Sequence, residues 1–170
     1  MRKFTGRLIS LSFKDIEPIK GILLDYDDDW ILLRSNPVDF ILDGYCVVAN
    51  RNLKKLRLGE KWTESVLKLK GRPTLKSKIP VNSLESMLRI LTKKYGVFAL
   101  RTKKRGSCWL GKLKSIDDKS LVIDDFTPRA RWDGHKKFKV KDIRVVEFDT
   151  EYINTLKLVL TNRRRKAGRI

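Results

Sequence analysis

The sequence has few of the residues on which disulfide frameworks, metal clusters and membrane spans depend. It contains two cysteines, Cys46 and Cys108, and one histidine, His135, among 170 residues. Two cysteines are too few for a disulfide framework, and one histidine excludes a histidine-rich metal cluster. The longest stretch without a formal charge is residues 44–50, far short of the roughly 18 apolar residues that a membrane span needs.

The sequence also lacks the patterns of common catalytic and cofactor sites. The acidic run at residues 25–29 is not an EF-hand loop, because Trp30 and Asn36 stand where that loop needs glycine and glutamate. There is no glycine-rich phosphate loop, and His135 has no partner at the spacing of a catalytic triad. We therefore expect no enzymatic activity and no cofactor. Since the N-terminus lacks the apolar segment of a signal peptide, we also expect a soluble cytoplasmic protein.

Acidic residues are scarce relative to basic ones. Lysine and arginine number 39 against 20 aspartates and glutamates, which gives a net charge of +19 and a pI near 10.2. The larger share of this excess lies in residues 81–170. Such an imbalance costs stability through self-repulsion and is typical of proteins with a polyanionic partner.

The chain resembles itself when it is shifted by 90 residues. The shift needs no gap, and it aligns turn residues and alternating apolar positions, which are the residues that encode a fold. The aligned identities include Gly6 with Gly96, Gly21 with Gly111, Asp27 with Asp117, and Asp43-Gly44 with Asp133-Gly134. The pattern predicts a tandem duplication.

Each copy is predicted to contain five short β-strands separated by clusters of Gly, Asp, Pro and Lys. A helix is predicted after each copy, and a third between Asn82, the start of a capping box with Glu85, and Gly96. One-turn 3₁₀ helices are predicted at residues 141–143 and 52–53. The predicted domains are a first barrel with its helix at 1–70, a linker at 71–81, a helix with a second barrel at 82–162, and a basic tail at 163–170.

The second copy resembles the Sm-like and SH3-like small β-barrels. The resemblance rests on the capped helix, on Trp109-Leu110-Gly111-Lys112-Leu113 with Asp117, and on Leu121-Val122-Ile123, followed by a strand pair around a one-turn helix. It implies a mostly β protein of two tandem five-stranded barrels. The RNA-pocket residues of the Sm-like proteins have no match here, because the first of those turns holds Asp117, Asp118 and Lys119, so that pocket is not carried over. Other proteins with this fold bind peptides or another subunit.

Basic clusters in the second copy predict a nucleic-acid site. In an antiparallel meander the first and third turns share one end of the barrel. The basic loops at residues 103–106, the first turn, and 128–137, the third turn, are therefore expected together, far from Asp117 and Asp118 in the second turn. Trp132 is a candidate for base stacking, and the tail is expected to be unstructured. The predicted site comprises Lys103, Lys104, Arg105, Arg129, Arg131, Trp132, His135, Lys136 and Lys137, with Arg163, Arg164, Arg165 and Lys166 in the tail.

The matching loop of the first copy is apolar. Phe40, Ile41 and Leu42 either fold back over their own barrel or contact a partner. Two hypotheses remain open at this point. In the first, the protein is a nucleic-acid-binding module that favours RNA over DNA. In the second, it is a scaffold that binds a protein partner or a second copy through the apolar loop, and its lysines serve solubility.

Overall fold

Ten strands form one antiparallel sheet in the computed structural model, which describes residues 1–71, 75, 77–104 and 106–167. The order across the sheet is β5-β1-β2-β3-β4-β10-β6-β7-β8-β9. The strands of the first half are β1 (Leu8–Phe13), β2 (Ile19–Tyr26), β3 (Trp30–Ser35), β4 (Tyr45–Ala49) and β5 (Leu53–Leu58). Those of the second half are β6 (Phe98–Thr102), β7 (Cys108–Ile116), β8 (Ser120–Phe126), β9 (Trp132–Lys139) and β10 (Ile143–Phe148).

Three α-helices accompany the sheet, as predicted. They are α1 (Lys61–Leu69), α2 (Leu84–Tyr95) and α3 (Glu151–Ala167), and short 3₁₀ helices occur at Arg2–Phe4 and Val140–Asp142. The predicted mostly β fold with a few helices is therefore confirmed. The 3₁₀ helix expected at residues 52–53 is wrong, because Asn52 occupies a left-handed turn with φ 65° and Leu53 already begins β5.

The second and third strands of the two halves correspond residue by residue. Leu23 faces Leu33 across β2 and β3, Leu113 faces Ile123 across β7 and β8, and a bulge follows in both pairs. A side chain at Gly21 would collide with the carbonyl of Arg34, and one at Gly111 with that of Asp124. Both glycines therefore serve the same close approach between neighbouring strands.

The first strands depart from the predicted gapless alignment. Ile9 faces Leu58 across β1 and β5, whereas Phe98 faces Phe148 across β6 and β10. Leu58 and Phe148 are 90 residues apart, but Ile9 and Phe98 are 89 apart. The alignment predicted from Gly6 to β1 is thus wrong by one residue. Ile9 pairs with Gly21, 12 positions later, and Phe98 pairs with Gly111, 13 positions later, so the second half has one additional residue between its first and second strands.

The predicted pair of separate barrels is not confirmed, because the two halves share one sheet. Val47 in β4 lies opposite Val146 in β10, and every residue of β4 is buried. The apolar sequence of β4 would be unstable as an exposed sheet edge, and pairing with β10 covers it.

The core also crosses from one half to the other. Trp30 and Val47 of the first half belong to the same apolar cluster as Phe98 and Ile123 of the second half, with Met87 of α2 between them. Two residues of the predicted linker at 71–81 are part of this cluster, namely Ile79 and Val81. The end of that segment is therefore packed rather than an open linker, while residues 72–74 and 76 lie outside the described residues.

The ends of α2 and α3 differ from the predictions. Ser83, rather than Asn82, is the N-cap of α2, and its hydroxyl accepts a hydrogen bond from Ser86 N at 3.2 Å. The left-handed stop at Gly96 is confirmed, with φ 81°. The basic run from Arg163 to Lys166 belongs to α3 and is not an unstructured tail, whereas residues 168–170 lie outside the described residues.

An ion pair fixes α1 on the first half. Glu64 is buried on the inner side of the helix, where it accepts two hydrogen bonds from Arg7, at 2.7 and 3.1 Å, and contacts Lys68 at 3.2 Å. The hydrogen bonds from Arg7 lower the pKa of Glu64. Leu67 is the other buried residue of α1, so one ion pair carries much of the attachment.

This geometry predicts how stability depends on pH. A carboxyl whose pKa is lowered by folding stabilises the folded state above its unfolded pKa, and this contribution is lost as the pH falls through the folded value. We expect Glu64→Gln to have a smaller free energy of unfolding than wild type at neutral pH. The difference should shrink below about pH 4.5, the usual pKa of a glutamate side chain. Urea unfolding across pH measures this. Glu85→Gln, from an exposed pair with Arg89, is the control, and a difference independent of pH would contradict the prediction.

Candidate nucleic-acid interface

Strand β9 forms one edge of the sheet and is lined with cations. Residues 128–137 were expected to be a loop, but β9 begins at Trp132 and pairs with β8. The predicted site residues Trp132, His135, Lys136 and Lys137 therefore lie on a strand, and Lys139 joins them. All five are exposed.

The start of β9 adjoins the end of α3. Ala130 is fully buried with φ 52°, and it packs in the same apolar cluster as Leu156 of α3. Its neighbours Arg129 and Arg131 are exposed. The guanidinium of Arg163 donates to the carbonyls of Arg129 and Ala130, at 2.5 and 3.4 Å. The structure thus brings the third turn together with the cations at the end of α3.

The first turn lies at the other end of β9. The 3₁₀ helix Val140–Asp142 follows β9 directly, and Lys103 forms an ion pair with Asp142 at 2.9 Å. This contact lowers the pKa of Asp142. The prediction that Lys103 and Lys104 share one end with Arg129 is therefore wrong, because the length of β9 separates them. Arg105 lies outside the described residues.

The acidic turn is also not remote from the basic residues. Val140 donates to the carbonyl of Lys119 at 3.0 Å, which brings the second turn against the end of β9. A shallow cleft of about 430 Å³ there is lined by Asp118, Lys119, Lys139 and Lys141. The prediction assumed a flat meander, whereas the sheet is strongly bent. The bend places the second turn beside the first.

Part of the cationic charge is neutralised within the protein. Lys136 pairs with buried Asp125 at 2.9 Å, and His135 Nδ1 contacts Asp124 at 2.9 Å, while the second ring nitrogen contacts Lys114. Five other cations form no ion pair with a carboxylate of the described residues. We call them the basic edge: Arg129, Arg131, Lys137, Lys139 and Lys141.

The basic edge extends over a considerable length. Eight residues of extended strand cover about 26 Å, and Arg131 and Lys141 lie just beyond the two ends of β9. Lys139 and Lys141 were missed by the sequence analysis, since the basic loop was expected to end at Lys137. Their alternation with Phe138 and Val140, which are less exposed, is the signal that could have revealed them.

Trp132 is less accessible than the stacking prediction assumed. Its side chain is 36% exposed. The ring packs against Phe126, with 4.8 Å between centroids, and the Lys112 ammonium lies 4.9 Å from its centre. The stacking of a base on Trp132 stays a prediction, and it would require Lys112 to move aside.

The apolar loop of the first half is partly exposed. Ile41 is 52% and Phe40 37% exposed, and Leu42 is half-buried. The buried amide of Asn36 donates to the carbonyls of Asp39 and Ile41, at 2.7 and 2.8 Å, which holds the loop in shape. The loop therefore neither folds back completely nor projects freely. Asn36 was considered in the sequence only as a missing calcium ligand.

The two cysteines differ in exposure. Cys46 is buried in β4, and burial raises the pKa of its thiol to about 12, whereas Cys108 is exposed. Both cysteines lie in strands among apolar neighbours, where buried thiols are common, but only Cys46 is buried. Within the described residues there is no group of three or more potential metal ligands. None of the described helices is long and apolar enough to cross a membrane.

Comparison with known proteins leaves the chain without an assigned family. No protein-family model matches it. No curated protein matches it in sequence either. The function must therefore be inferred from the surface itself.

Proposed function

We propose that the protein is a non-enzymatic nucleic-acid-binding module that favours RNA and uses the basic edge together with the end of α3. The observation that carries the proposal is the row of five exposed cations, on and beside β9, that form no ion pair with a described carboxylate. At the start of the row, Arg163 ties the cations of α3 to the third turn. An unpartnered row of like charges is unfavourable in isolation, and phosphates would relieve the repulsion.

The shape of the surface favours a single-stranded nucleic acid over a duplex. An exposed sheet edge also presents backbone N–H groups, which donate to phosphate oxygens as lysine and arginine do. A flexible single strand can follow this twisted edge, whereas a stiff duplex can contact it only over a short length. RNA is the more common single-stranded nucleic acid in cells. We therefore favour RNA over DNA, and the cytoplasm as the place of action.

Salt dependence tests this proposal. Each phosphate contact with a single strand contributes about −0.7 to the slope of log affinity against log salt concentration. The five contacts of the basic edge contribute about −3.5 to this slope for a single-stranded RNA oligomer, and contacts at the end of α3 should make it steeper. Fluorescence anisotropy between about 50 and 200 mM salt measures the slope. Absence of binding at the low-salt end would contradict the proposal. Binding that does not depend on salt would indicate that apolar contacts, rather than contacts with phosphates, hold the RNA.

We also propose that the two halves arose by duplication of one small-barrel unit. The matching registers of β2 with β3 and of β7 with β8 support this. So does the equal strand order within the halves, β5-β1-β2-β3-β4 and β10-β6-β7-β8-β9.

A scaffold function remains the second candidate. The exposure of Ile41 and Phe40 favours it, together with that of Trp62 and Leu69 on α1, which are 70% and 86% exposed. Lys70, at the end of α1, donates to the carbonyl of Phe40 at 2.6 Å, so the helix and the loop adjoin. In this alternative the apolar surface, rather than the basic edge, would carry the activity.

A further inference from the structure

A carboxylate lies within the basic surface beside β9. Lys112 of β7 lies directly opposite Asp124 of β8, which in turn lies opposite His135 of β9. Ile123, the neighbour of Asp124 in β8, is fully buried, so the row of three side chains faces away from the core. A carboxylate repels phosphates, so Asp124 is suited to a different contact from the phosphate contacts of the basic edge.

Asp124 is held in place and keeps room for further hydrogen bonds. His135 Nδ1 contacts one carboxylate oxygen at 2.9 Å, and the Lys112 ammonium contacts the other at 3.5 Å, which is long for a hydrogen bond. A carboxylate offers about four lone-pair sites on its two oxygens. Because the Asp124 side chain is 25% exposed, these oxygens can accept N–H donors from a bound molecule.

The ammonium of Lys112 lies between Asp124 and the ring of Trp132. It is 4.9 Å from the centre of that ring and 3.5 Å from the carboxylate. A nucleobase makes the same two kinds of contact, because its flat face stacks on an aromatic ring and its N–H groups donate to an acceptor. Lysine has a long flexible stem, and the Lys112 side chain is partly exposed, so the ammonium can move aside.

The two oxygens of a carboxylate discriminate among the bases. Guanine presents two neighbouring donors, N1–H and N2–H, on its Watson–Crick edge, and a carboxylate accepts both. Adenine and cytosine each present an amino group beside an acceptor nitrogen, and uracil presents one N–H between two carbonyls. In these three bases an acceptor faces the second carboxylate oxygen and repels it. The Watson–Crick edge is free to be read in this way when the RNA is single-stranded.

We propose that Asp124 and Trp132 form a guanine-reading subsite within the RNA surface, an inference that rests on the proposed function. The guanine stacks on Trp132 in place of the Lys112 ammonium, and its N1–H and N2–H groups donate to Asp124. Cations of the basic edge lie on both sides, since Arg131 directly precedes Trp132 and Lys137 follows later in β9. They hold the phosphates before and after this nucleotide.

RNA oligomers that differ in one base test the proposal. A uridine RNA of about ten nucleotides is compared with the same RNA carrying guanosine, adenosine or inosine at its centre. We expect guanosine to raise the affinity about tenfold, as a good bidentate contact does, and adenosine to leave it nearly unchanged. Inosine lacks the amino group at position 2 of guanine, so it should lose most of the gain. Fluorescence anisotropy at about 0.1 M salt measures these affinities.

The substitution Asp124→Asn tests the role of the carboxylate. An amide offers one acceptor and one donor group in place of two acceptors, so the preference for guanosine should be lost. Because the loss of a negative charge raises the affinity for every RNA, the readout is the ratio of the guanosine to the uridine affinity. Asp28→Asn makes the same change on an exposed turn of the first half, and it should keep the preference. Urea denaturation establishes that both variants are folded.

The substitution Lys112→Met tests the place of the base. It removes the ammonium that competes for Trp132 and Asp124, so the preference for guanosine should rise although the protein loses a cation. The proposal is overturned if wild type binds the guanosine and uridine RNAs equally, if Asp124→Asn keeps the preference, or if Lys112→Met does not raise it. It is also overturned if GMP competes as well as the guanosine RNA, because the subsite would then serve a free nucleotide. If no RNA binds at all, the proposed function fails, and this inference fails with it.

Discussion

Replacing all five residues of the basic edge with alanine should lower the affinity for single-stranded RNA by about 10³-fold near 0.1 M salt. The estimate follows from counterion release, because five contacts at about −0.7 each remove about 3.5 from the slope of log affinity against log salt. The five side chains are exposed, with no ion pair to a described carboxylate, so the free energy of unfolding should change little. Fluorescence anisotropy over a salt series measures the affinity and its slope, and urea denaturation measures the stability.

A matched variant distinguishes a site from general attraction by a protein of net charge +19. Five exposed lysines away from β9 can be replaced in the same way: Lys3, Lys14, Lys20, Lys93 and Lys94. This control removes the same charge, yet it should retain most of the affinity and of the salt slope. Equal losses of affinity in the two variants would mean that RNA binding depends only on the net charge of the protein. The basic edge would then not be a specific site.

The same measurement separates the two candidate functions. Phe40→Asp with Ile41→Asp adds two negative charges on the apolar loop, at the other half of the chain, and should leave RNA binding nearly intact. If this variant loses an activity that the basic-edge variant keeps, the scaffold function is favoured.

Local elements were predictable because their signals lie close together in the sequence. Asp27 and Asp117 indicated two hairpin turns, and in both the aspartate amide donates to the carbonyl three residues later, at 2.8 and 2.9 Å. Gly96 indicated the end of α2 for a similar reason. Such signals depend on backbone conformations that few residue types adopt.

The candidate site was only partly predictable. The first part of β9 was taken for a loop because Asp133, Gly134 and the lysines that follow have low β propensity, and only pairing with β8 makes them a strand. The arrangement of the turns around β9 depends on the bend of the sheet, which no local pattern specifies. The residue types of the site were therefore predicted, while their geometry was not.

The shared sheet could not be predicted, because it depends on partners that are distant in the sequence. Alternating apolar residues indicate strands but do not specify which edge meets which. The charged residue that fastens the junction, Arg144, was expected only to be part of a strand. Its carboxylate partner, Asp15, is 129 residues away.

Arg144 should be among the most important single side chains for stability. It is 1% exposed, and its guanidinium contacts both carboxylate oxygens of Asp15, at 2.9 and 3.1 Å. It also donates to the carbonyls of Ala49 and Arg51, at 3.3 and 2.6 Å, and so joins β10 to the first half. Arg51 in turn donates to the carbonyl of Ile143. The two arginines thus fasten the junction in both directions.

Replacing Arg144 with methionine should therefore lower the free energy of unfolding by about 3–5 kcal/mol, because it removes the cation that pairs with Asp15 and the donor to the carbonyls of Ala49 and Arg51. Urea denaturation followed by circular dichroism measures this. Lys54→Met is the matched control, since Lys54 lies 90 positions earlier on the exposed edge strand β5, and it should cost less than about 0.5 kcal/mol. Because the halves share a core, both variants and wild type should unfold in one transition. Two separate transitions, with only one of them moved by Arg144→Met, would show instead that the halves are independent domains.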